Sequence, residues 1–193
     1  MRLRNVINLL AEDYRTHGKA PTSPGFQALA VHRLAQFAQQ APLPFGPVLR
    51  VVTSAAYVFV RNVYGIELPP QASIGRRVKI SHQSGIVISG DAVIGDECRL
   101  RQNVTIGSRG KANPRTGRRK PVLGSRVYVG AGATILGGVT IGSDARIGAS
   151  ALVVEDVPAG ARVFAPLADI VPPEPDAADW SAMERHLGDE EPT

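Results

Sequence analysis

A six-residue repeat runs through residues 68–158 and constrains the fold of this 193-residue chain more than any other feature. Each copy begins with a branched aliphatic residue, usually continues with glycine, and carries a small or β-branched residue at its fifth position. A period of six is a signature of the parallel β-helix, whereas β-sandwiches place their turn signals about eight to twelve residues apart. The unbroken copies begin at Leu123, Val129, Ile135, Ile141, Ile147 and Val153.

Each copy of the repeat is expected to form one short strand and one corner. The aliphatic residue points into a three-sided coil, the small residue packs beside it, and the glycine eases the turn. Three copies complete a coil, and successive coils pair strand on strand at a spacing of about 4.8 Å. The sequence therefore predicts an all-β core with the architecture of a parallel β-helix.

The repeat divides the chain into three predicted regions. Residues 1–66 form a helical region, residues 67–171 form the β-helix, and residues 172–193 form an acidic tail that is either a short helix or disordered. The apolar periodicity of the first region predicts helices over 5–14, 25–40 and 48–64. We expect these helices to cap the first coil, because an open end would expose unpaired strand edges.

The third of these helices has an alternative interpretation. Its apolar residues lie beside arginines, a combination that also suits a helix lying on a membrane surface. The sequence therefore leaves peripheral membrane association open as an alternative to capping.

Two interruptions break the period of six. Two extra residues fall between Ile86 and Val93, and we interpret them as a bulge near Ser89–Asp91. A larger insertion between Ile106 and Leu123 predicts an extruded loop over 107–122, since it is rich in glycine and proline. A loop held on a rigid scaffold is a common place for function. Six basic residues lie in this loop: Arg109, Lys111, Arg115, Arg118, Arg119 and Lys120.

Composition indicates the cellular compartment of the protein and the class of ligand that it binds. Cys98 is the only cysteine and falls at an inward position, so no disulfide framework is expected. The first 20 residues lack the apolar core of a secretory signal, which together with the lone cysteine predicts a cytoplasmic protein. Residues 172–193 contain seven acids and one arginine, whereas the preceding 171 residues carry 21 basic against 10 acidic side chains. This excess suits anionic ligands, but no interleaved aromatic residues indicate nucleic-acid binding.

The repeat also predicts a candidate site. Copies in successive coils share one face, and their third positions form an outward column: His82, Gln102, Ala131 and Ala149. The column extends over three coil spacings, or roughly 14 Å, and offers a histidine base at the head of a smooth groove for a long, thin ligand. One histidine and one inward cysteine do not make a zinc site, so no metal is expected.

Several motifs are similar to those of the hexapeptide-repeat acyltransferases. The segment 80–88, ISHQSGIVI, and the segment 103–107, NVTIG, resemble the serine acetyltransferase branch. The upstream segment 23–35 resembles that branch as well. The short chain, with the segments 72–77 and 104–110, is more similar to the exopolysaccharide O-acetyltransferases of the colanic-acid type.

The resemblance implies a left-handed β-helix with an N-terminal helical cap, a homotrimer or a dimer of trimers, and active sites between subunits. It implies that acetyl-CoA is the co-substrate, that His82 is the general base, and that Glu67 orients this histidine. The residues that the resemblance places near acetyl-CoA are Gly107, Ser108, Ala131, Arg146 and Ala149.

The acceptor is inferred from departures from the serine enzymes. Ser81 stands where those enzymes have an aspartate before the catalytic histidine. Lys120, after a retained Arg119, stands where they have a second histidine, and Thr16 replaces the aspartate of an Arg-Asp-Pro motif. Carboxylates are expected to hold the ammonium group of serine. Their loss predicts that Ser81, Arg119 and Lys120 contact a sugar hydroxyl instead, on a small or lipid-linked saccharide of exopolysaccharide assembly.

Two other functions stay open at this point. One is a serine O-acetyltransferase of cysteine biosynthesis, and the other is a non-catalytic β-helix scaffold, against which the histidine and its alanine groove argue. Three interpretations of the basic loop also stay open: that it binds the phosphates of CoA, that it binds an anionic acceptor, or that it is a solvated loop with no ligand.

Overall fold

A computed structural model describes residues 3–42 and 44–170 of the chain. The predicted acidic tail, 172–193, lies outside the described residues. Three α-helices come first, and short parallel strands follow up to residue 163. No helix in the described ranges is both long and apolar enough to cross a membrane.

The strands wind as the predicted left-handed β-helix, with three parallel sheets forming its sides. Within the described residues the first sheet contains β1 (Ile66–Glu67), β4 (Ile86–Ile88), β7 (Thr105–Gly107), β10 (Thr134–Leu136) and β13 (Leu152–Val153). The second contains β2 (Ser73–Ile74), β5 (Val93–Ile94), β8 (Val122–Leu123) and β11 (Thr140–Ile141). The third contains β3 (Lys79–Ile80), β6 (Arg99–Leu100), β9 (Tyr128–Val129), β12 (Arg146–Ile147) and β14 (Arg162–Val163).

The core is a stack of aliphatic side chains inside the coils, as the repeat predicts. First-position residues such as Leu100, Ile135 and Ile147 are completely buried, and fifth-position residues such as Ala133 are buried beside them. Cys98 occupies one of these inward fifth positions, and burial raises the pKa of its thiol to about 11. The thiol is therefore protonated at neutral pH and acts as a small apolar side chain.

The second-position glycines are required by the close stacking of successive corners. A Cβ atom on Gly95 would lie 2.5 Å from the backbone carbonyl carbon and oxygen of Gly124 in the next coil. The left-handed backbone occurs instead at fourth positions, including those of the corner between the second and third sheets. Its residues alternate in charge, and neighbours pair at 2.7 Å: Arg77 with Glu97, and Arg126 with Asp144.

Gly95→Ala is expected to destabilise the β-helix. The added methyl group would meet the backbone of the next coil, and overpacking of this kind costs about 1–3 kcal/mol. Chemical denaturation followed by circular dichroism measures the change. Gly90→Ala is the matched control, because a Cβ there would lie 3.4 Å from the nearest atom, Cβ of Gln71. Equal stability of the two variants would contradict the stacking explanation.

The helices are α1 (Leu3–Thr16), α2 (Pro24–Gln40) and α3 (Phe45–Tyr64), so each extends beyond its predicted bounds. The second helix caps the first coil. Arg33 donates to the carbonyl oxygens of Ile74 and Gly75 at 2.6 Å, and Gln36 donates to those of Pro70 and Ala72 at 3.2 Å. These bonds satisfy backbone groups that the open end of the β-helix would leave unpaired. The third helix ends at Gly65, whose φ of 63° is left-handed.

One of the two predicted interruptions of the repeat lies at a different place in the structure. Ile80 pairs with Leu100 and Ile88 pairs with Ile106, so the copy that begins at Ile80 has eight residues where the copy that begins at Leu100 has six. The two extra residues therefore lie in the corner 81–87, and the bulge predicted near Ser89–Asp91 is wrong. The sequence-based assignment treats Ile86 as the first residue of a copy, because it is a branched aliphatic residue. In the structure it is a buried fifth-position residue.

Candidate active site

His82 lies in the corner between β3 and β4, where the extra residues enter the coil. It is exposed, and its φ of 66° is left-handed, as are those of Ser84 and Gly85. His82 and Ser84 are non-glycine residues with positive φ outside the fourth position where the other corners have it, and such backbone strain is typical of functional sites. The insertion therefore presents the imidazole outside the smooth surface of the prism.

The register of this corner differs from the prediction. Amide N–H groups at fourth positions donate to third-position carbonyls of the preceding coil: Gly132 to Gln102 at 3.0 Å and Ser150 to Ala131 at 2.8 Å. By the same rule Asn103 donates to Ser84 at 2.9 Å. The third position of the copy that begins at Ile80 is thus Ser84, not His82. His82 and Gln83 are the inserted pair, so the histidine stands beside the column rather than in it.

Hydrogen bonds tie the corner to the strand that carries Glu67. The Ser84 amide donates to the carbonyl of Tyr64 at 2.8 Å, and the Ile86 amide donates to that of Gly65 at 3.0 Å. Glu67 follows directly on β1, where it pairs with Val87 and is exposed. Burial raises the pKa of Tyr57, and the charge of Glu67 adds to this effect. The hydrogen bonds to Tyr64 and Gly65 thus place the corner that carries His82 next to the start of the strand that carries Glu67.

A buried histidine of the helical cap supports the strand leading to this corner. His17 Nδ1 lies 2.7 Å from the carbonyl oxygen of Asp13, and its Nε2 lies 3.2 Å from the amide nitrogen of Ile80. The Ile80 amide can donate only to an unprotonated nitrogen, so the ring carries its proton on Nδ1. Burial lowers the pKa of His17, which favours this neutral form. No local sequence pattern indicates this contact.

The predicted groove continues from the corner along the third positions of later coils. Ala131 is half-buried and Ala149 is exposed, whereas the side-chain oxygen of Gln102 is buried without a hydrogen-bond partner. Ser81, which follows β3, is half-buried, and its amide donates to the carbonyl of Leu100 at 2.8 Å. The small side chains leave a smooth strip beside His82.

The outer face of the third sheet is strongly basic next to this strip. Sixth-position residues pair strand to strand in one column: Lys79, Arg99, Tyr128, Arg146 and Arg162. An open groove of about 730 Å³ lies over the first four of them. Like charges on adjacent strands repel each other, so this face favours anionic ligands.

The extruded loop leaves a different corner of the prism. It begins after Gly107 on β7 and returns at Val122 on β8, across the first sheet from the corner of His82. Ser108 Oγ accepts from the amide of Gly110 at 3.1 Å, and Asn113 donates to the carbonyl of Gly138 at 3.0 Å, which holds the loop against a later coil. Arg119 is exposed and Lys120 half-buried. Within one chain the loop residues and His82 are therefore apart.

No group of three or more His, Cys, Asp or Glu side chains in the described ranges is arranged to hold a metal ion. His32 is buried between α2 and the first coil, and burial lowers its pKa to about 4. It is neutral at physiological pH.

Comparison with known proteins identifies the family to which this chain belongs. The family model described as bacterial transferase hexapeptide (six repeats) matches residues 120–154. A serine acetyltransferase of Synechococcus elongatus is 42% identical over 140 residues, which cover 72% of this chain and 54% of the relative. One from Helicobacter pylori is 41% identical over 137 residues, which cover 71% of this chain and 75% of the relative.

A solved structure agrees with the sequence comparison. Soybean serine acetyltransferase complexed with serine superposes with a TM-score of 0.69 and 29% identity, covering 83% of this chain and 68% of that one. The chain spans little more than half the length of several curated relatives it matches. The similarity to colanic-acid-type enzymes finds no support among these relatives. With its hexapeptide coils and its extent of identity, the chain belongs to the serine acetyltransferase family of hexapeptide-repeat transferases.

Proposed function

We propose that the chain is an acetyl-CoA-dependent O-acetyltransferase whose acceptor is the hydroxyl group of L-serine. The observation that carries this proposal is the identity of 41–42% to serine acetyltransferases over about 70% of the chain. A match of that length within 193 residues necessarily includes His82 and the extruded loop. The exposed histidine on its strained corner supplies the chemical group that the reaction needs.

The saccharide acceptor predicted from the sequence is wrong as the main function. It depended on Ser81, Lys120 and Thr16 replacing two carboxylates and a histidine of the serine enzymes. The relatives reported above are serine acetyltransferases, and none of them is an exopolysaccharide enzyme. The structure also weakens the third replacement, because Thr16 Oγ1 donates to the carbonyl of Glu12 at 2.9 Å within its own helix.

In the proposed reaction His82 acts as the general base. An alcohol is a weak nucleophile at neutral pH, so an imidazole nitrogen takes the hydroxyl proton as the oxygen attacks the thioester carbonyl carbon. The C–S bond of the resulting tetrahedral intermediate breaks, and the histidine returns its proton to the CoA thiolate. Glu67, on the adjoining strand β1, orients the imidazole in this proposal.

Acetyl-CoA lies along the strip beside the histidine in this proposal. Ala131 and Ala149 leave room for the pantetheine arm, and the roughly 14 Å of three coil spacings suits an extended chain. Arg146, in the basic column of the third sheet, attracts the phosphates. In the coenzyme binding mode that we propose, Gly107 and Ser108 offer backbone N–H groups beside the thioester, where such donors stabilise an oxyanion.

We further propose that the active enzyme is a homotrimer. The loop with Gly107, Ser108, Arg119 and Lys120 leaves a corner across the first sheet from His82, so one chain alone does not unite the two groups. A neighbouring copy can bring its loop to this histidine. Arg119 and Lys120 would then hold the carboxylate of serine by charge-assisted hydrogen bonds. The lone cysteine suits a cytoplasmic location for the assembly.

Release of CoA thiol from acetyl-CoA by the purified full-length protein tests the proposed function. L-serine is expected to support release, and mass spectrometry should find O-acetylserine as the product. L-alanine is the matched control, because it differs from serine only by the hydroxyl group. A panel of sugar nucleotides tests the discarded acceptor. Release with a saccharide and none with serine would overturn the proposal.

A further inference from the structure

The third helix exposes a long apolar face that no described part of the chain covers. It packs on α2 through the opposite side, where Gly46, Thr53 and Val60 are buried. Even the phenylalanines of the open face are exposed, Phe45 by 76% and Phe59 by 53%. The exposed apolar residues of this face, named here the α3 face, are Phe45, Val48, Val51, Val52, Ala55, Val58, Phe59 and Val63.

The α3 face is large, and Asn62, near its end, is the one polar residue within its sector. At 3.6 residues per turn its members cover a sector of about 140°, and they extend for roughly 27 Å along the helix. A monomeric protein seldom exposes a contiguous apolar patch of this size, and such patches mark sites of interaction with a protein or a membrane.

The charges beside the face indicate its partner. Arg50 and Arg61 are exposed along one edge, with Ser54 between them, and α3 contains no aspartate or glutamate. The 171 residues before the acidic tail carry 21 basic against 10 acidic side chains. A second copy of α3 would bury the apolar residues but would bring no acidic residue of its own to the arginines. An anionic bilayer supplies both an apolar interior and negative headgroups.

We propose that the α3 face binds the surface of anionic membranes. The helix lies in the plane of the bilayer, with its valines and phenylalanines inserted at the boundary between headgroups and acyl chains. Its arginines reach the lipid phosphates from the edge of the face. Because one side of α3 is fixed to α2 and another is polar, the geometry favours lying on the surface.

Sedimentation with vesicles tests the proposal on the full-length protein. The wild type is expected to sediment with vesicles of phosphatidylcholine and phosphatidylglycerol, more weakly with phosphatidylcholine alone, and less as salt rises. The double variant V52Q/F59Q removes two large apolar contacts and is expected to lower partitioning roughly tenfold or more. R50Q/R61Q is expected to abolish the preference for phosphatidylglycerol.

Ser54→Gln is the matched control, because Ser54 is exposed on the polar strip of the same helix. It is expected to sediment like the wild type, and circular dichroism checks that all variants fold. Absence of sedimentation with anionic vesicles, or unchanged sedimentation of V52Q/F59Q, would overturn the proposal. Sedimentation velocity gives a further contrary outcome: self-association abolished by V52Q/F59Q, without vesicle binding, would assign the face to a second copy.

Discussion

Replacing His82 with alanine is expected to lower the turnover number for acetyl transfer to L-serine by about 10²–10⁴-fold, the usual contribution of a general base. The hydroxyl group would then attack the thioester without transfer of its proton to a positioned imidazole. His82 is exposed and lies in an inserted corner outside the packed core, so the variant should fold normally. Release of CoA thiol measures the turnover, and thermal unfolding measures the stability.

Gln83→Ala is the matched control for this variant. Gln83 is the other inserted residue of the same corner, and it is also exposed. If the corner matters only through its shape, the two variants should lose activity to a similar extent. If His82 acts as the base, the loss is specific to it. A His82→Ala enzyme with undiminished turnover of serine would contradict the proposed mechanism.

The fold was largely predictable, because the period of six determines which residues face inward. The copies at Ile80, Leu100, Val129 and Ile147 do share one sheet, as the grouping in threes predicts. The exact place of the two-residue insertion was not predictable in this way. Ile86 and Ile88 are both buried aliphatic residues, so either can serve as the first position. Only the strand pairing shows that Ile88 is the first residue of its copy.

The surroundings of the candidate site were less predictable than the histidine itself. The contact between His17 and the Ile80 amide joins residues 63 positions apart, and no local pattern marks such a pair. The acceptor was predicted wrongly for a related reason. The choice of a sugar depended on three substitutions, considered singly, although the side chains of a neighbouring subunit can alter what each position contacts.

Arg33→Met is expected to have the largest effect on stability among single substitutions in the helical cap. Arg33 is 2% exposed and Asp13 is completely buried, and the Arg33 Nε lies 3.2 Å from the carboxylate of Asp13. Its other nitrogens donate to the carbonyl oxygens of Ile74, on the outermost strand of the second sheet, and of Gly75 directly after it. Methionine fills similar space but leaves a buried carboxylate and two carbonyls unpaired. Breaking a buried ion pair costs about 3–5 kcal/mol.

The pH dependence of this loss distinguishes the buried charge from lost packing. Burial raises the pKa of Asp13, and the charge of Arg33 opposes that shift, so removal of Arg33 raises the pKa further. A carboxyl whose folded-state pKa is raised keeps its full contribution to stability below the unfolded value of about 3.9 and loses it as pH rises through the folded value. Urea unfolding of Arg33→Met should therefore show a smaller loss of unfolding free energy in acid than at neutral pH.

Arg126→Met is the matched control, because the exposed Arg126–Asp144 pair is screened by solvent and its loss should change the stability little. Asp13→Leu combined with Arg33→Met removes the buried charge altogether and should recover part of the loss. A deficit independent of pH, and equal in the single and double variants, would show that Arg33 acts through packing and its carbonyl contacts alone.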